Sequence, residues 1–141
     1  MILLDTNIVS ELMRATPDPF VLGWIDRQRA EELWTTSISI YELQFGIEIL
    51  PEGRRRQKLH DELIGMVRDD LQGRIAPFDR AAAAESARLA AWRRKTGRSI
   101  DLHDGHIAGI ALACRATIAT RNIRDFQDLA IPVIDPFQPQ T

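Results

Sequence analysis

Short apolar runs that fit buried strands alternate along this chain with longer stretches of helical periodicity, and this alternation constrains the fold more than any other feature. Ile2-Leu3-Leu4 is a continuous apolar run cut off by Asp5-Thr6-Asn7, the pattern of a short strand covered on both faces. Leu33-Trp34-Thr35-Thr36, aromatic and β-branched, predicts a second strand. Ile75-Ala76, Thr117-Ile118-Ala119-Thr120 and Pro132-Val133-Ile134 predict three more. The intervening segments read as helices. One starts near Thr6 or Asn7, either of which can cap it, and carries Ile8, Val9 and Leu12 on one side. A second covers about 18–30. Ser39 and Glu42, three residues apart ahead of the apolar run from Leu43 to Leu50, match a capping box. A charged helix is expected over about 54–72, and Asp79 caps an alanine-rich helix that reaches about Lys95 and stops before Gly97. A last long helix runs from about His103 to Arg115. Strands alternating with helices imply a parallel sheet, and right-handed crossovers put helices on both of its faces. The expected class is α/β, a three-layer α/β/α sandwich with a central parallel sheet. A chain of 141 residues suits one domain, placed at 1–135, with a loose Pro-containing tail at 136–141.

Composition narrows the setting. With 45% hydrophobic and 27% charged residues, the chain can bury a core without disulfides. Its single cysteine, Cys114, excludes an internal disulfide and fits a reducing cytoplasm, the expected location. No run approaches the ~18 apolar residues of a membrane helix. A net charge of −2 argues against a chain that is basic overall to hold nucleic acid. Two basic runs, Arg54-Arg55-Arg56 with Lys58 and Arg93-Arg94-Lys95 with Arg98, read first as solvated helix surface.

In an open parallel sheet, ligands gather beyond the carboxyl ends of the strands, and here that rule selects acids. Asp5 follows the first strand directly. Glu42 lies off the main apolar stripe of its helix, beside Phe45 and Ile49 on a second apolar side; a capping-box role is its simplest alternative. Asp104 shares a helix face with Ile107, Ala108 and Ala111, pointing inward at the helix start, where the backbone dipole favours an anion. Asp101, one turn earlier, is a cap or a supporting acid. Asn122 and Asp125 lie just past the strand ending at Thr120, where both also suit turns. Carboxylates brought together repel unless a cation lies among them, and oxygen donors without cysteine suit Mg²⁺ or Mn²⁺. His103 and His106 flank Asp104, but without further nitrogen or sulfur ligands they fit a surface or supporting role better than zinc.

Met1-Ile2-Leu3-Leu4-Asp5-Thr6-Asn7 resembles the start of a PIN domain, specifically of the VapC-type toxins of bacterial toxin–antitoxin pairs. The resemblance continues through Ser39-Ile40-Tyr41-Glu42-Leu43-Gln44-Phe45-Gly46 and Asp104-Gly105-His106-Ile107-Ala108. It closes with Ala119-Thr120-Arg121-Asn122-Ile123-Arg124-Asp125-Phe126. It implies a Mg²⁺- or Mn²⁺-dependent endoribonuclease that hydrolyses RNA with a metal-activated water, forms a homodimer and is silenced by a cognate antitoxin. Asp5, Glu42 and Asp104 match the family's three core acids and are the expected catalytic and metal-holding residues. Thr6 and Thr120 match polar supporting positions, and Asn7, Asp101, Asn122 and Asp125 complete the supporting set. Asn122 stands where the family often has a fourth acid; Asp125, three residues on, is the candidate replacement. Under the same resemblance the two basic runs become candidate phosphate-contact surfaces.

Two other readings keep the fold: an RNA-maturation nuclease without a toxin role, and a module that holds RNA or protein without cutting. A haloacid-dehalogenase-like phosphatase also begins with a strand-ending Asp, but it needs a second Asp where this chain has Asn7, and no Gly-rich phosphate loop is present.

Overall fold

The computed structural model describes residues 1–140. Its strands are β1 (Ile2–Leu4), β2 (Leu33–Thr36), β3 (Ile75–Ala76), β4 (Thr117–Ala119) and β5 (Val133–Ile134), and they form one sheet in the order β3-β2-β1-β4-β5. Every pairing is parallel. The helices are α1 (Thr6–Leu12), α2 (Pro19–Asp26), α3 (Ser37–Glu48), α4 (Arg54–Gly65), α5 (Arg80–Lys95), α6 (Leu102–Cys114) and α7 (Ile123–Phe126).

The alternation of side chains along β1 and β4 builds the two cores. Leu3 and Ile118 pair in register and face one side, where Ala82, Leu89, Ile107, Ile110 and Phe126 cover them. Leu4 and Ala119, the next pair, face the other, against Ile8, Val9, Val21, Trp24 and Leu71. Both faces of the sheet are therefore apolar and covered by helices, as the continuous hydrophobic strands require. This is the expected three-layer α/β sandwich.

Where the chain departs from expectation, a nearer cap or a competing turn is the reason. Asp5 itself, not Thr6 or Asn7, caps α1. Asp18 caps α2 with Pro19 at its first position, and α2 stops at Asp26, short of the expected end near 30. The charged helix is α4 only to Gly65, after which the backbone widens into a π turn over Met66–Asp70. Asp79 caps α5 as expected. Within the stretch expected as a loose tail, Phe137 packs into the second core and its N–H donates to Asp135; Thr141 lies outside the described residues.

The closest helix contact is between α5 and α6. Ser86 Oγ donates to the Gly105 carbonyl, and a Cβ on Gly109 would meet the same Ser86 hydroxyl and lie 2.5 Å from the Ala82 carbonyl. Backbone cannot swing away as a side chain can, so Gly109→Ala is expected to overpack this seam. Against the ~1 kcal/mol that alanine regains in helix propensity, overpacking costs about 3 kcal/mol. The net change should lower the melting temperature by about 6 °C, read by circular dichroism, and an unchanged melting curve would show that the seam yields.

Candidate active site

The sheet order creates the site. From β1 the chain winds through β2 and β3 on one side, then crosses back to β4 and β5 on the other. The strand order thus reverses between β1 and β4, and the crevice at their carboxyl ends is where such sheets accept ligands. Asp5 follows β1 and Thr120 follows β4, and the strands hold them side by side through the Asp5 N–H, which donates to the Ala119 carbonyl at 2.9 Å.

Asp5 is 3% exposed and both of its carboxylate oxygens are engaged. Oδ1 accepts from the Thr6 N–H at 2.8 Å, and Oδ2 accepts from the Thr120 hydroxyl at 2.7 Å. Asn7 joins this arrangement from the first turn of α1. Its Nδ2 lies 3.4 Å from both Asp5 Oδ2 and Thr120 Oγ1, while its Oδ1 accepts from the Arg121 N–H at 3.1 Å. Burial pushes the Asp5 carboxyl above its usual range; the hydrogen bonds from Thr120 and Thr6 pull the other way, and the charges of Glu42 and Asp125 add to the rise.

Glu42 is not spent on a capping box. Thr36, one turn before the expected cap, takes that role by accepting from the Ser39 N–H at 3.0 Å. Ser39 is then internal to α3 and fully buried, with its hydroxyl 2.9 Å from Thr6 Oγ1. Glu42 is left free to turn toward α1. The Thr6 hydroxyl donates to its Oε1 at 2.8 Å, and His103 Nδ1 lies 3.5 Å from its Oε2. Thr6 therefore ties the Asp5 turn to Glu42, and His103 ties Glu42 to α6. The His103 contact is not visible in the sequence; its signal was only that His103 precedes Asp104. His106 points elsewhere, with its ring 4.3 Å from that of Phe78.

Asp104 is half-buried in the first turn of α6, while Asp101 is that helix's exposed N-cap and accepts from the His103 N–H at 3.2 Å. The Asp104 carboxyl is pushed up to about 7, first by burial and then by Asp5, Asp125, Asp101 and Glu42. That set identifies the neighbours: Asp5 after β1, Glu42 on α3, Asp101 capping α6 and Asp125 on α7 lie close enough to oppose its ionisation. Asp125 is thus one of the group, on α7 just past β4. Asn122 is exposed and starts α7 without a side-chain cap bond; its N–H donates to Thr120 Oγ1 at 3.0 Å.

Among the described residues, no group of three or more acidic, histidine or cysteine side chains is drawn together closely enough to hold a metal ion by itself. The donors are nonetheless hard oxygens whose charges oppose one another, and a cation would relieve that opposition. They fit an ion such as Mg²⁺, which takes carboxylate oxygens directly or through the waters it keeps.

Known proteins resemble this chain over nearly its whole length. The family model described as PIN domain matches residues 2–132. The chain is 41% identical over 139 residues to the VapC ribonuclease Y4jK of Sinorhizobium fredii, covering 99% of each. It is 34% identical over 137 residues to the toxin FitB of Neisseria gonorrhoeae, covering 97% of this chain and 99% of that one. The crystal structure of FitAcB from Neisseria gonorrhoeae superposes with a TM-score of 0.89 at 34% identity, covering 99% of this chain and 100% of that one.

Proposed function

Because the chain belongs to the PIN domain family, we propose that it is a Mg²⁺- or Mn²⁺-dependent endoribonuclease serving as the toxin of a type II toxin–antitoxin pair in the cytoplasm. The observation that carries the reading is the gathering of Asp5, Glu42, Asp104 and Asp125 at the reversal of strand order, where burial first and then the charges of its neighbours push the Asp104 carboxyl up to about 7. Structural ion-pair networks also perturb pKa values, but they bring opposite charges together. Here several acids share one site, opposed at Glu42 only by the neighbouring His103, which is expected of a site built for a cation.

Asp5, Glu42, Asp104 and Asp125 would hold the ion, with Asp125 supplying the charge that Asn122 cannot. When bound, such an ion stabilises charge developing on a phosphodiester and makes a coordinated water more acidic. The remaining residues fix the carboxylates. Thr120 and the Thr6 amide hold the two oxygens of Asp5, and the Thr6 hydroxyl and His103 hold those of Glu42. Asn7 locks the β4 turn to α1 by accepting from the Arg121 amide. Fixing ligands from a second layer in this way is worth about 10–100-fold in metal affinity or activity.

Single-stranded RNA should be cut internally in Mg²⁺, left intact with EDTA, and cut again when Mn²⁺ is added; RNA that survives every metal would overturn the reading. The toxin role adds a partner. FitB is named a toxin, and a short neighbouring reading frame whose product blocks the cleavage would separate a toxin from an RNA-maturation nuclease. We assign the outer face of α3 to a second copy of the chain. Tyr41, Phe45 and Ile49 are 56%, 54% and 67% exposed there, and Tyr41 reaches the site by its edge contact with the His103 ring. Sedimentation at two chains is expected, and at one chain after Phe45→Glu. No helix among the described residues is long and apolar enough to cross a membrane.

A further inference from the structure

Arg93 looks like one member of an exposed basic run, yet it falls on the buried stripe of α5 with Ala82, Ser86 and Leu89 and is 3% exposed. Its Nη2 donates to the Asp125 carbonyl at 2.8 Å. Its Nε is enclosed and has no hydrogen-bond partner. Among the described residues no carboxylate forms an ion pair with it. A guanidinium stays charged at any physiological pH, so an uncompensated one in the interior is costly and calls for an anion.

The place for that anion is a groove of about 570 Å³ with Arg93 in its lining. Arg98, Arg121 and Arg124 line it too, and its acids are Asp125 and Asp135. Arg98 pairs with Asp128, and Arg121 is held 4.0 Å over the Phe137 ring. Arg124 is exposed and forms no ion pair among the described residues. Asp135 accepts from the Phe137 N–H. Asp125 lines this groove and is also one of the acids acting on Asp104, so the groove adjoins the acidic site.

We propose that this groove binds a backbone phosphate of RNA flanking the one that is cleaved, with Arg93 as its anchor and Arg98 and Arg124 at its rim. The proposal rests on the nuclease reading insofar as the substrate is a polynucleotide. The acidic site repels a polyanion and the chain's net charge of −2 does not attract one. Affinity therefore has to come from a local basic surface next to the acids. Arginine suits this role because its guanidinium stays charged and carries five N–H donors, of which Arg93 spends one on the Asp125 carbonyl.

The test uses the Asp5→Asn protein in Mg²⁺ with a fluorescent single-stranded 12-nucleotide RNA, with affinity read by anisotropy across a salt series. Arg93→Gln is expected to weaken binding about tenfold; Arg98→Gln and Arg124→Gln should each weaken it about threefold and lower the salt slope by about one ion. If Arg93→Gln does not fold, the Arg98→Gln, Arg124→Gln double variant carries the test, since both side chains are on the exposed rim. Unchanged affinity and slope in the variants, no binding of the RNA at all, or equal competition by a polyglutamate peptide would each overturn the proposal. Cleavage is scored separately on the native chain. Arginine-dependent binding without cleavage refutes the nuclease and keeps the groove, whereas cleavage with arginine-independent binding does the reverse.

Discussion

Asp5→Asn is expected to lower RNA cleavage by at least ~1,000-fold, the scale on which removal of a single essential active-site group acts, while leaving the fold intact. Asparagine is as good an N-cap as aspartate, so its side-chain oxygen can keep the 2.8 Å bond from the Thr6 amide and α1 loses nothing. The other oxygen is where the two residues differ. Oδ2 accepts from Thr120, with Asn7 Nδ2 at 3.4 Å, and an amide nitrogen there is a donor facing donors, an arrangement that favours rotation of the Thr120 hydroxyl. Against that loss stands the removal of a buried charge that burial, Glu42 and Asp125 all oppose. In metal-free protein at neutral pH the variant should melt no lower than the native chain, and cells expressing it should escape growth arrest. Cleavage at the native rate would remove Asp5 from the chemistry. Cleavage lost together with the melting transition would instead make Asp5 a structural cap.

The variant also separates what local sequence could specify from what it could not. The strands were legible because each is a short apolar run ended by a polar or turn residue, and Asp79 was legible as a cap because a long alanine-rich helix follows it. Glu42 was harder to assign. Ser39 and Glu42 satisfy the spacing of a capping box, but Thr36 satisfies the cap three residues earlier, and only the end of β2 decides which is used. The bonds from Thr6 to Glu42 and from Thr120 to Asp5 join residues 36 and 115 positions apart. They exist because β1 lies between β2 and β4, and strand order has no local signature. The fourth acid follows the same logic: α7 is a single short turn, too brief for periodicity, and it carries Asp125 toward Asp5 and Asp104. Arg93 was hidden by its neighbours, although the spacing Ala82, Ser86, Leu89, Arg93 already places it on the inner stripe of α5.

Metal-free protein should become less stable as the pH rises from about 4 to about 7, the reverse of what paired carboxylates produce, because of Asp104. Its carboxyl sits at about 7 in the folded chain against 3.8 when free of it. Between those values the folded state keeps a proton that the unfolded state has released, so each step up in pH favours unfolding. The stabilisation is complete below about 4 and lost above about 7. Asp5, also raised, acts in the same direction. Because the acids share one site, their protons leave as a coupled group and the loss is spread over the window. Glu48 and Asp69, held below the usual range by Arg56 and Arg68, contribute only at the foot of that window and below it. His106, lowered by burial and by His103, works the other way near neutrality, so the informative comparison is with Asp104→Asn, which keeps His106 and should flatten the slope. Mg²⁺ competes with the same protons. At about 100 times its Kd it should raise the melting temperature by about 8 °C near pH 8, and by much less near pH 5. A melting temperature indifferent to Mg²⁺ at every pH would mean that the four carboxylates do not hold the ion, and the nuclease reading would lose its chemistry.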